Sequence, residues 1–247
     1  MNDRARGGIV VTGASSGIGA AIARELAGRG FSVAGLSRRG TVPELADATA
    51  GGVLAGFPCD VTDERAVERT VEAFAERVGG IAGLVNNAGA NEETPSAELT
   101  LDQLRRTLEL NFVSAFSMSR RVYPYLKRQG GLIVNIGSFY DHLGVRSNLA
   151  YSASKSAVAS MTRTLAVEWA RDGISAVTIA PGYVLTELNR EFFADPGRRE
   201  AVERRIPVRR LGLPEELGRL IGALFEARVP FLTGTTIYVD GAQGVSL

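Results

Sequence analysis

A tyrosine and a lysine four positions apart, Tyr151 and Lys155, are the residues whose types and spacing most directly suggest chemistry. On a helix, side chains separated by four residues lie on the same face. An ammonium group beside a phenol favours the phenolate, so Tyr151 is a candidate general acid and base. The alternative is an ordinary pair on a helix surface, and the two residues alone do not exclude it.

The use of lysine at position 155 supports the chemical interpretation. Lys occurs only at positions 127 and 155, and the other 26 of the 28 basic residues are Arg. An ammonium is a compact charge whereas a guanidinium is a wide planar fork, so the two are not interchangeable in a tight site.

Length and composition fit an ordinary globular chain and restrict the classes of function. The 247 residues are 45% apolar and 22% charged, and the formal net charge is +1. This balance gives no reason to expect a nucleic-acid or membrane partner. A single Cys and a single His exclude a disulfide framework within the chain and Cys- or His-rich metal sites, so we predict no metal. The N-terminus has no signal-peptide core, and no apolar segment approaches the roughly 20 residues that span a bilayer, so we expect a cytoplasmic protein.

Short apolar runs alternate with longer segments of helical periodicity. The runs are nearly all apolar and too short for typical helices, as expected of parallel strands covered on both faces. We predict strands at 9–11, 31–36, 53–57 (followed by Cys59 as a buried thiol), 81–85, 132–136, 174–179 and 236–239. Periodicity and capping residues predict helices at 18–28, 65–78, 101–127, 150–172 and 215–226. The alternation predicts an α/β fold with a mostly parallel sheet and one domain over 1–247.

A glycine-rich turn separates the first predicted strand from the first predicted helix. Gly13, Gly17 and Gly19 have the spacing G-x-x-x-G-x-G. Glycines permit a tight turn and close approach of the backbone, and the helix that follows would offer free N–H groups and a positive dipole end to a diphosphate. A glycine-rich turn by itself is a weak signal, because many turns between strands and helices contain glycine.

Several motifs, in order along the chain, resemble those of the single-domain short-chain dehydrogenases/reductases. They are the glycine turn, Asn86-Asn87-Ala88-Gly89, Asn111, Ser138, Tyr151 with Lys155, Pro181-Gly182, Leu232-Thr233-Gly234 and Val239-Asp240-Gly241. Ser138 precedes Tyr151 by 13 positions, which is the spacing of that family. The resemblance covers residues 7–244 and implies a doubly wound, Rossmann-type three-layer sandwich, with about seven parallel strands and helices on both faces.

The resemblance implies an oxidoreductase that transfers a hydride between a nicotinamide cofactor and a carbonyl or alcohol carbon. Tyr151 would give or take the substrate proton, and Ser138 would donate a hydrogen bond to the substrate oxygen. Lys155 would lower the pKa of Tyr151 and bind the nicotinamide ribose. Asn111 would hold a water that links Lys155 to solvent, although the sequence alone favours a polar residue on a helix face.

The resemblance also implies a cofactor site built from several segments. Its residues are Gly13, Ser15, Ser16, Gly17, Ile18 and Gly19 at the diphosphate, Ser37, Arg38 and Arg39 after the second strand, Asp60 and Val61 at the adenine, Asn87, Ala88 and Gly89 on the adenosine-ribose side, and Pro181, Gly182, Val184 and Thr186 beside the nicotinamide, with Tyr151 and Lys155. The structural alternatives are a plain turn at 86–89 and a loop or cap role for Asp60.

The end of the second predicted strand bears on the choice of cofactor. An acidic residue there would hold the ribose hydroxyls of NAD, but this chain has Ser37, Arg38 and Arg39. Guanidinium groups suit a 2′-phosphate, so we predict NADP(H), with NAD(H) as the alternative. Ser16 stands where many relatives that prefer NADP carry a basic residue, which keeps the alternative open.

The substrate is a small carbonyl or alcohol compound, and two classes remain open. The chain resembles both 3-oxoacyl-carrier-protein reductases and gluconate 5-dehydrogenases. An Arg-rich segment at about 185–213 is predicted to be a substrate lid, with a solvated helical excursion as the alternative. Residues expected near the substrate are Ala90, Asn91, Phe139, Tyr140, Asp141, His142 (interpreted as an ordinary loop histidine), Leu143, Gly144, Tyr183, Leu188 and Asn189.

Two further expectations concern the class of protein and its assembly. A non-catalytic regulator that senses the cofactor would not need Ser138, Tyr151 and Lys155 intact, so we favour an enzyme. The helices predicted at 101–127 and 150–172 carry apolar residues beyond those needed to cover a sheet. Relatives form dimers through these helices and tetramers through their last strand, so we expect a homotetramer or a homodimer.

Overall fold

The computed structural model describes residues 7–44 and 52–246, so residues 1–6, 45–51 and 247 of the predicted domain lie outside it. Seven parallel strands form one sheet in the order β3-β2-β1-β4-β5-β6-β7. The strands are β1 (Gly8–Thr12), β2 (Ser32–Ser37), β3 (Val53–Pro58), β4 (Ile81–Asn86), β5 (Gly131–Ile136), β6 (Ile174–Pro181) and β7 (Thr236–Val239). The chain winds outward from β1 in both directions, which confirms the doubly wound fold.

Alternation along the strands divides the apolar core between the two faces of the sheet. Val10 packs with α2 (Glu64–Val78), α4 (Ser114–Gln129) and α5 (Leu149–Trp169). Ile9 and Val11 pack on the other face with α1 (Gly17–Gly28) and α7 (Pro214–Ala227). The sheet therefore forms the middle of three layers, as predicted.

The two edge strands are less covered than the sequence predicted. Each residue of β1 and β6 is buried, but most of β3 and β7 is only half-buried, and Val53 is 46% exposed. An edge strand has a strand neighbour on one side only, and the helices cover the middle of the sheet most fully. Cys59, directly after β3, is buried as expected, and burial raises the pKa of its thiol.

The predicted helix at 101–127 is divided in the structure. It begins at the expected capping box of Thr100 and Gln103 with α3 (Leu101–Leu108), passes through one π-helical turn (Glu109–Val113) and continues as α4. The predicted helix at 150–172 ends as α5 at Trp169 and finishes in a 3-10 turn, Ala170–Asp172. Within the described residues, no helix is both long and apolar enough to cross a bilayer.

The lid segment, defined as 185–213, contains a helix that the sequence analysis did not predict. This helix, α6 (Pro196–Glu203), begins where the Asp195 carboxylate accepts a hydrogen bond from the amide of Arg198 at 2.8 Å. An aspartate followed by proline is a regular start signal for a helix, so the signal was present in the sequence. No residue of α6 is buried, as the alternative of a solvated helical excursion expects, while Phe193, Ile206 and Leu211 on either side of it are buried in a separate apolar cluster.

A buried chain of polar side chains connects the sheet to α5. The Asn86 amide donates to Asn135 Oδ1 at 2.8 Å, and the Asn135 amide donates to Thr162 Oγ1 at 2.9 Å. The Thr178 hydroxyl donates to the same Thr162 oxygen at 2.8 Å. Because buried polar groups are costly when unpaired, these bonds fix α5, which carries Tyr151 and Lys155, over β4, β5 and β6.

Candidate active site

The predicted catalytic residues meet at the carboxyl edge of the sheet. Ser138 follows β5, and Tyr151 and Lys155 lie in the first two turns of α5. In parallel sheets, the crevice outside the carboxyl ends of the strands is the usual ligand site. The structure therefore brings together three residues that belong to two different elements.

Tyr151 contacts both of the other two residues. The Ser138 hydroxyl lies close enough to that of Tyr151 to lower its pKa, and the Lys155 ammonium lies 5.5 Å from the centre of the Tyr151 ring. Ser138 Oγ also accepts a hydrogen bond from the amide of Tyr140 at 3.2 Å, which holds the 3-10 turn Phe139–Asp141 beside it. Lys155, which is 4% exposed, donates to the carbonyl of Ile136 at 2.8 Å. The last residue of β5 thus positions the ammonium.

The pKa of Tyr151 shifts in the direction opposite to the one we predicted. Burial raises the pKa of Tyr151, and the hydrogen bond from Ser138 opposes the rise. The Lys155 ammonium is directed at the Ile136 carbonyl, so it does not provide the expected stabilisation of a phenolate. Burial also lowers the pKa of Lys155 to about 8. The same dry environment thus disfavours the charged form of both neighbouring groups.

Asn111 lies in the π-helical turn and has its side chain bound on both ends. Asn111 Oδ1 accepts from the amide of Ala90 at 2.9 Å, while Nδ2 donates to the Ala90 carbonyl at 2.9 Å and to Ser154 Oγ at 3.0 Å. A Cβ at Gly89 would lie 3.0 Å from Asn111 Oδ1 and 3.7 Å from Lys155 Nζ. These bonds show that Asn111 clamps the 89–90 loop onto α5; its predicted role in holding water remains a prediction.

The glycine turn is held in place from β4. Thr12 Oγ1 accepts hydrogen bonds from the amides of Asn87 and Ala88, both at 2.9 Å, and the Asn87 side chain donates to the Thr12 carbonyl at 2.9 Å. A Cβ on Gly19 would collide with the Gly13 carbonyl and with Asn87 Nδ2. Asn87 therefore braces the turn, and Thr12 is a positioning residue that the sequence analysis missed.

The N-terminus of α1 suits an anionic group. Gly13 and Gly17 both adopt positive φ, and the Gly17 amide donates to a carboxylate oxygen of Glu187 at 2.9 Å. An oxygen anion is therefore accepted at the position where a diphosphate would bind, and the residues present fit that group. Ser15, Ser16 and Ile18 complete the turn and the start of the helix.

The second predicted part of the cofactor site lies at the ends of β2 and β3. Arg38 and Arg39 are exposed, and neither forms an ion pair with any residue that the structure describes. The Asp60 carboxylate accepts hydrogen bonds from the amide and hydroxyl of Thr62 at 3.0 and 2.7 Å, and these bonds lower its pKa, with a smaller effect from Arg38. Val61 is buried beside it. Asp60 thus shapes the loop as a turn residue, and both guanidinium groups stay available.

The third predicted part of the cofactor site follows β6 and forms the base of the lid segment. Pro181 ends the strand, the Gly182 amide donates to the Val239 carbonyl at 3.0 Å, and Val184 pairs with Gly212. The Thr186 side chain lies against Gly17. The two ends of the lid segment are therefore joined at 184–185 and 212, close to the glycine turn.

Aromatic rings form a wall next to Tyr151. The Tyr140 ring lies edge-on to that of Tyr151 at 6.0 Å, and the hydroxyls of Tyr140 and Tyr183 are 2.9 Å apart. Phe139 packs against both Tyr140 and Tyr183. Burial and the neighbouring Tyr183 raise the pKa of Tyr140, so this hydroxyl remains protonated.

Asp141 and His142, which we expect near the substrate, contact β7. The Asp141 carboxylate accepts from the Tyr238 hydroxyl at 3.1 Å and pairs with His142 Nδ1 at 2.8 Å. Tyr238 belongs to β7, so these contacts tie the 139–142 turn to the edge of the sheet. The interpretation of His142 as a loop histidine agrees with this position.

The lowered pKa of Lys155 predicts a specific pH dependence of stability. A buried ammonium destabilises the folded chain below a pH of about 8, and the penalty disappears as pH rises toward 10.5, where the unfolded chain also loses its proton. Relative to the wild type, Lys155→Met should be most stable near pH 7, and this advantage should fall by roughly 3 kcal/mol by pH 10.5. Urea unfolding of both proteins at several pH values measures this difference in the free energy of unfolding.

Lys127, the other lysine of the chain, provides the control. Its hydrogen bond with Tyr123 and the charge of Asp172 raise its pKa, and it is exposed. Lys127→Met should therefore show only a small pH effect, of opposite sign. A stability difference between Lys155→Met and the wild type that stays constant from pH 7 to 10.5 would contradict the assignment of a buried, destabilising ammonium.

Comparisons with known proteins agree with this geometry. The family model described as enoyl-(acyl carrier protein) reductase matches residues 13–244. The chain is 35% identical to 3beta-hydroxysteroid dehydrogenase 1 of Eggerthella lenta over 95% of this chain and 92% of that protein. It is 35% identical to D-threitol dehydrogenase of Mycolicibacterium smegmatis (96% and 92% covered) and 32% identical to the 3-oxoacyl-[acyl-carrier-protein] reductase MabA of Mycobacterium tuberculosis (96% and 92%).

Solved structures give the same result. A putative gluconate dehydrogenase from Agrobacterium tumefaciens superimposes with a TM-score of 0.87 and 32% identity, covering 97% of this chain and 96% of that one. A short-chain type dehydrogenase/reductase from Mycobacterium marinum gives a TM-score of 0.88 and 30% identity, covering 96% and 95%. The chain thus belongs to the short-chain dehydrogenase/reductase family and is an NAD(P)-dependent oxidoreductase that interconverts ketones and secondary alcohols.

Proposed function

We propose that Tyr151, Ser138 and Lys155 carry out this chemistry and that the chain interconverts a 3-oxoacyl and a 3-hydroxyacyl thioester, with NADP(H) as the preferred cofactor. The observation that carries the proposal is the position of Ser138 and Tyr151: the Ser138 hydroxyl acts on the pKa of Tyr151, and both residues lie at the same edge of the sheet as the glycine turn. Two polarised hydroxyls at one point suit a carbonyl oxygen that becomes an alkoxide.

The bound nicotinamide would supply the hydride in reduction and accept it in oxidation. In reduction, Tyr151 gives its phenolic proton to the substrate oxygen, and Ser138 donates a hydrogen bond to the same oxygen. The raised pKa of Tyr151 keeps this proton in place until negative charge develops beside it. Lys155 would bind the nicotinamide ribose through its ammonium, and Asn111 would keep the 89–90 loop against it and hold a water.

The aromatic wall supports a substrate that is neutral and partly apolar near its reacting carbon. Phe139, Tyr140 and Tyr183 present ring surfaces, and the hydroxyls of Tyr140 and Tyr183 bond to one another. The acyl chain of a thioester fits such a surface, and similarity to MabA points the same way.

A sugar acid or a polyol is the second candidate class. The structural likeness to a putative gluconate dehydrogenase and the sequence similarity to D-threitol dehydrogenase favour it. Initial rates with 3-oxoacyl thioesters, gluconate-type acids, polyols and cyclic ketones, each with NADPH and NADH or their oxidised forms, separate the two classes.

The preference for NADP(H) is supported by the exposed guanidinium groups of Arg38 and Arg39, which have no ion pair within the described part of the chain, and by the absence of an acidic residue at the end of β2. A 2′-phosphate would meet two positive charges there. The Asp60 carboxylate, held by Thr62, does not take the place of the missing acid.

We further propose one cytoplasmic domain over 1–247, a lid role for 185–213, and assembly as a homotetramer. Exposed apolar side chains lie on α4 and α5, with Phe116 43% and Val167 80% exposed, and at β7 and the tail, with Tyr238 43% and Val245 85% exposed. Two separate apolar surfaces are what a tetramer with two kinds of interface needs.

Tyr151→Phe should lower NADPH-dependent ketone reduction at least about a hundredfold, because the proton donor is lost. The dissociation constant for NADPH, measured by fluorescence titration, should change less than about threefold. Tyr125→Phe removes a hydroxyl on α4 and should leave the rate unchanged. Nearly full activity in the Tyr151→Phe variant would disprove the role of Tyr151.

Replacing both Arg38 and Arg39 with Ala should weaken NADPH binding roughly ten- to hundredfold, because charge-assisted hydrogen bonds to the 2′-phosphate are lost. NADH binding should hardly change. Replacing Arg77 and Arg69, both on α2, with Ala is the control, because it removes the same two positive charges elsewhere on the chain. Equal weakening for NADPH and NADH would argue against recognition of the 2′-phosphate.

Light scattering with size-exclusion chromatography should give four times the chain mass of 26.2 kDa. Val167→Asp places a charge on the α5 surface and should reduce the mass to half of that value or less, because a buried unpaired charge is costly. A wild-type monomer at micromolar concentration would rule out the proposed assembly.

A further inference from the structure

The contact between Glu187 and Gly17 joins the lid segment to the glycine turn across 170 residues of sequence. Glu187 Oε2 accepts a hydrogen bond from the Gly17 amide at 2.9 Å. Gly17 is the first residue of α1, a helix of 12 residues. Thr186, the preceding residue, packs its Cγ2 against the same glycine. The lid segment therefore touches the turn through two consecutive side chains.

The turn that carries Glu187 is held rigidly. The Thr186 amide donates to Asn189 Oδ1 at 2.8 Å, and Asn189 Nδ2 donates to the Val184 carbonyl at 2.8 Å. The Leu185 amide donates to the Gly212 carbonyl at 2.9 Å, which fixes the base of the lid segment. Because both sides of the turn are held, the position of the carboxylate follows from the fold of the lid base.

The carboxylate at the N-terminus of α1 comes from the lid segment and not from α1 itself. Its first turn, Gly-Ile-Gly-Ala, has no acidic residue, and the side chain of the N-cap, Ser16, makes no capping bond in the described structure. A carboxylate at a helix N-terminus is stabilised by the free amides and by the helix dipole. Glu187 thus occupies the place that the fold provides for the cofactor diphosphate.

We propose that Glu187 is a latch that competes with the diphosphate of the cofactor for the Gly17 amide. When the cofactor binds, its negative oxygens take the amide and repel the carboxylate, so the Glu187 side chain turns away from Gly17 while the 186–189 turn stays in place. The contact between Glu187 and Gly17 is therefore made while the site is empty and is lost when the cofactor binds. This inference rests on the proposed cofactor site at 13–19, and it makes Glu187 a residue that lowers cofactor affinity.

Glu187→Gln tests the latch, because glutamine keeps an oxygen that can accept the Gly17 hydrogen bond and removes only the charge. Isothermal titration calorimetry with NADPH should give a dissociation constant about three- to thirtyfold lower for Glu187→Gln than for the wild type. ADP, which carries a diphosphate, should show the same gain, whereas adenosine should bind both proteins equally. Raising the salt concentration should reduce the difference in NADPH affinity between the two proteins, because this difference arises from the charge of Glu187.

Glu191→Gln is the matched control, since it removes one exposed carboxylate four residues further along the lid segment. It should change NADPH binding less than about twofold. Equal NADPH affinity in Glu187→Gln and the wild type, or weaker binding in the variant, would overturn the latch and leave the proposed cofactor site standing. Absence of NADPH and ADP binding in both proteins would instead overturn the cofactor site, and the latch with it.

Discussion

The structure depends on one topological constraint, namely that all seven strands run parallel and the winding direction reverses at β1. Because the strands point the same way, the loops that follow β1, β2, β3, β4, β5 and β6 all emerge at one edge of the sheet. The reversal leaves a crevice between the loops after β1 and β4, which would otherwise be filled by a crossover. The hydroxyl of Thr12 joins these two loops through the amides of Asn87 and Ala88. The glycine turn and the group of Ser138, Tyr151 and Lys155 lie at the same edge of the sheet for this reason.

A second property follows from how deeply the catalytic groups are set. Lys155 is 4% exposed and Tyr151 is desolvated enough for its pKa to rise, so burial disfavours the charged forms of both groups. Such a site stores its proton on the phenol, and the bond from Ser138 is the interaction that opposes the rise in pKa. Negative charge that develops on a substrate oxygen would be met by two hydroxyls in a dry setting, where hydrogen bonds are strongest. Burial therefore costs stability and favours the reaction.

Local patterns in the sequence predicted the sheet, five of the helices and the glycine turn, because these features follow from periodicity and caps. The approach of Ser138 to Tyr151 was implied by the resemblance to the family. Local patterns could not predict contacts that depend on how distant segments meet. The brace from Thr12 to Asn87 spans 75 residues, and the contact between Glu187 and Gly17 spans 170. The lysine was expected to act on the phenol, yet its ammonium is directed at the carbonyl of Ile136, which only the packing of α5 on β5 determines. The π-helical turn at Asn111 likewise interrupts a periodicity that reads as one continuous helix.

We propose that the glycine turn and the group of Ser138, Tyr151 and Lys155 form a single site for a nicotinamide cofactor and a ketone. A crystal structure of the chain with NADPH tests it most directly. We expect the diphosphate at the amide end of α1 and the nicotinamide end of the cofactor next to Tyr151 and Lys155. A cofactor bound away from the 13–19 turn, or one whose nicotinamide lies on the far side of the sheet from Tyr151, would rule out a single site.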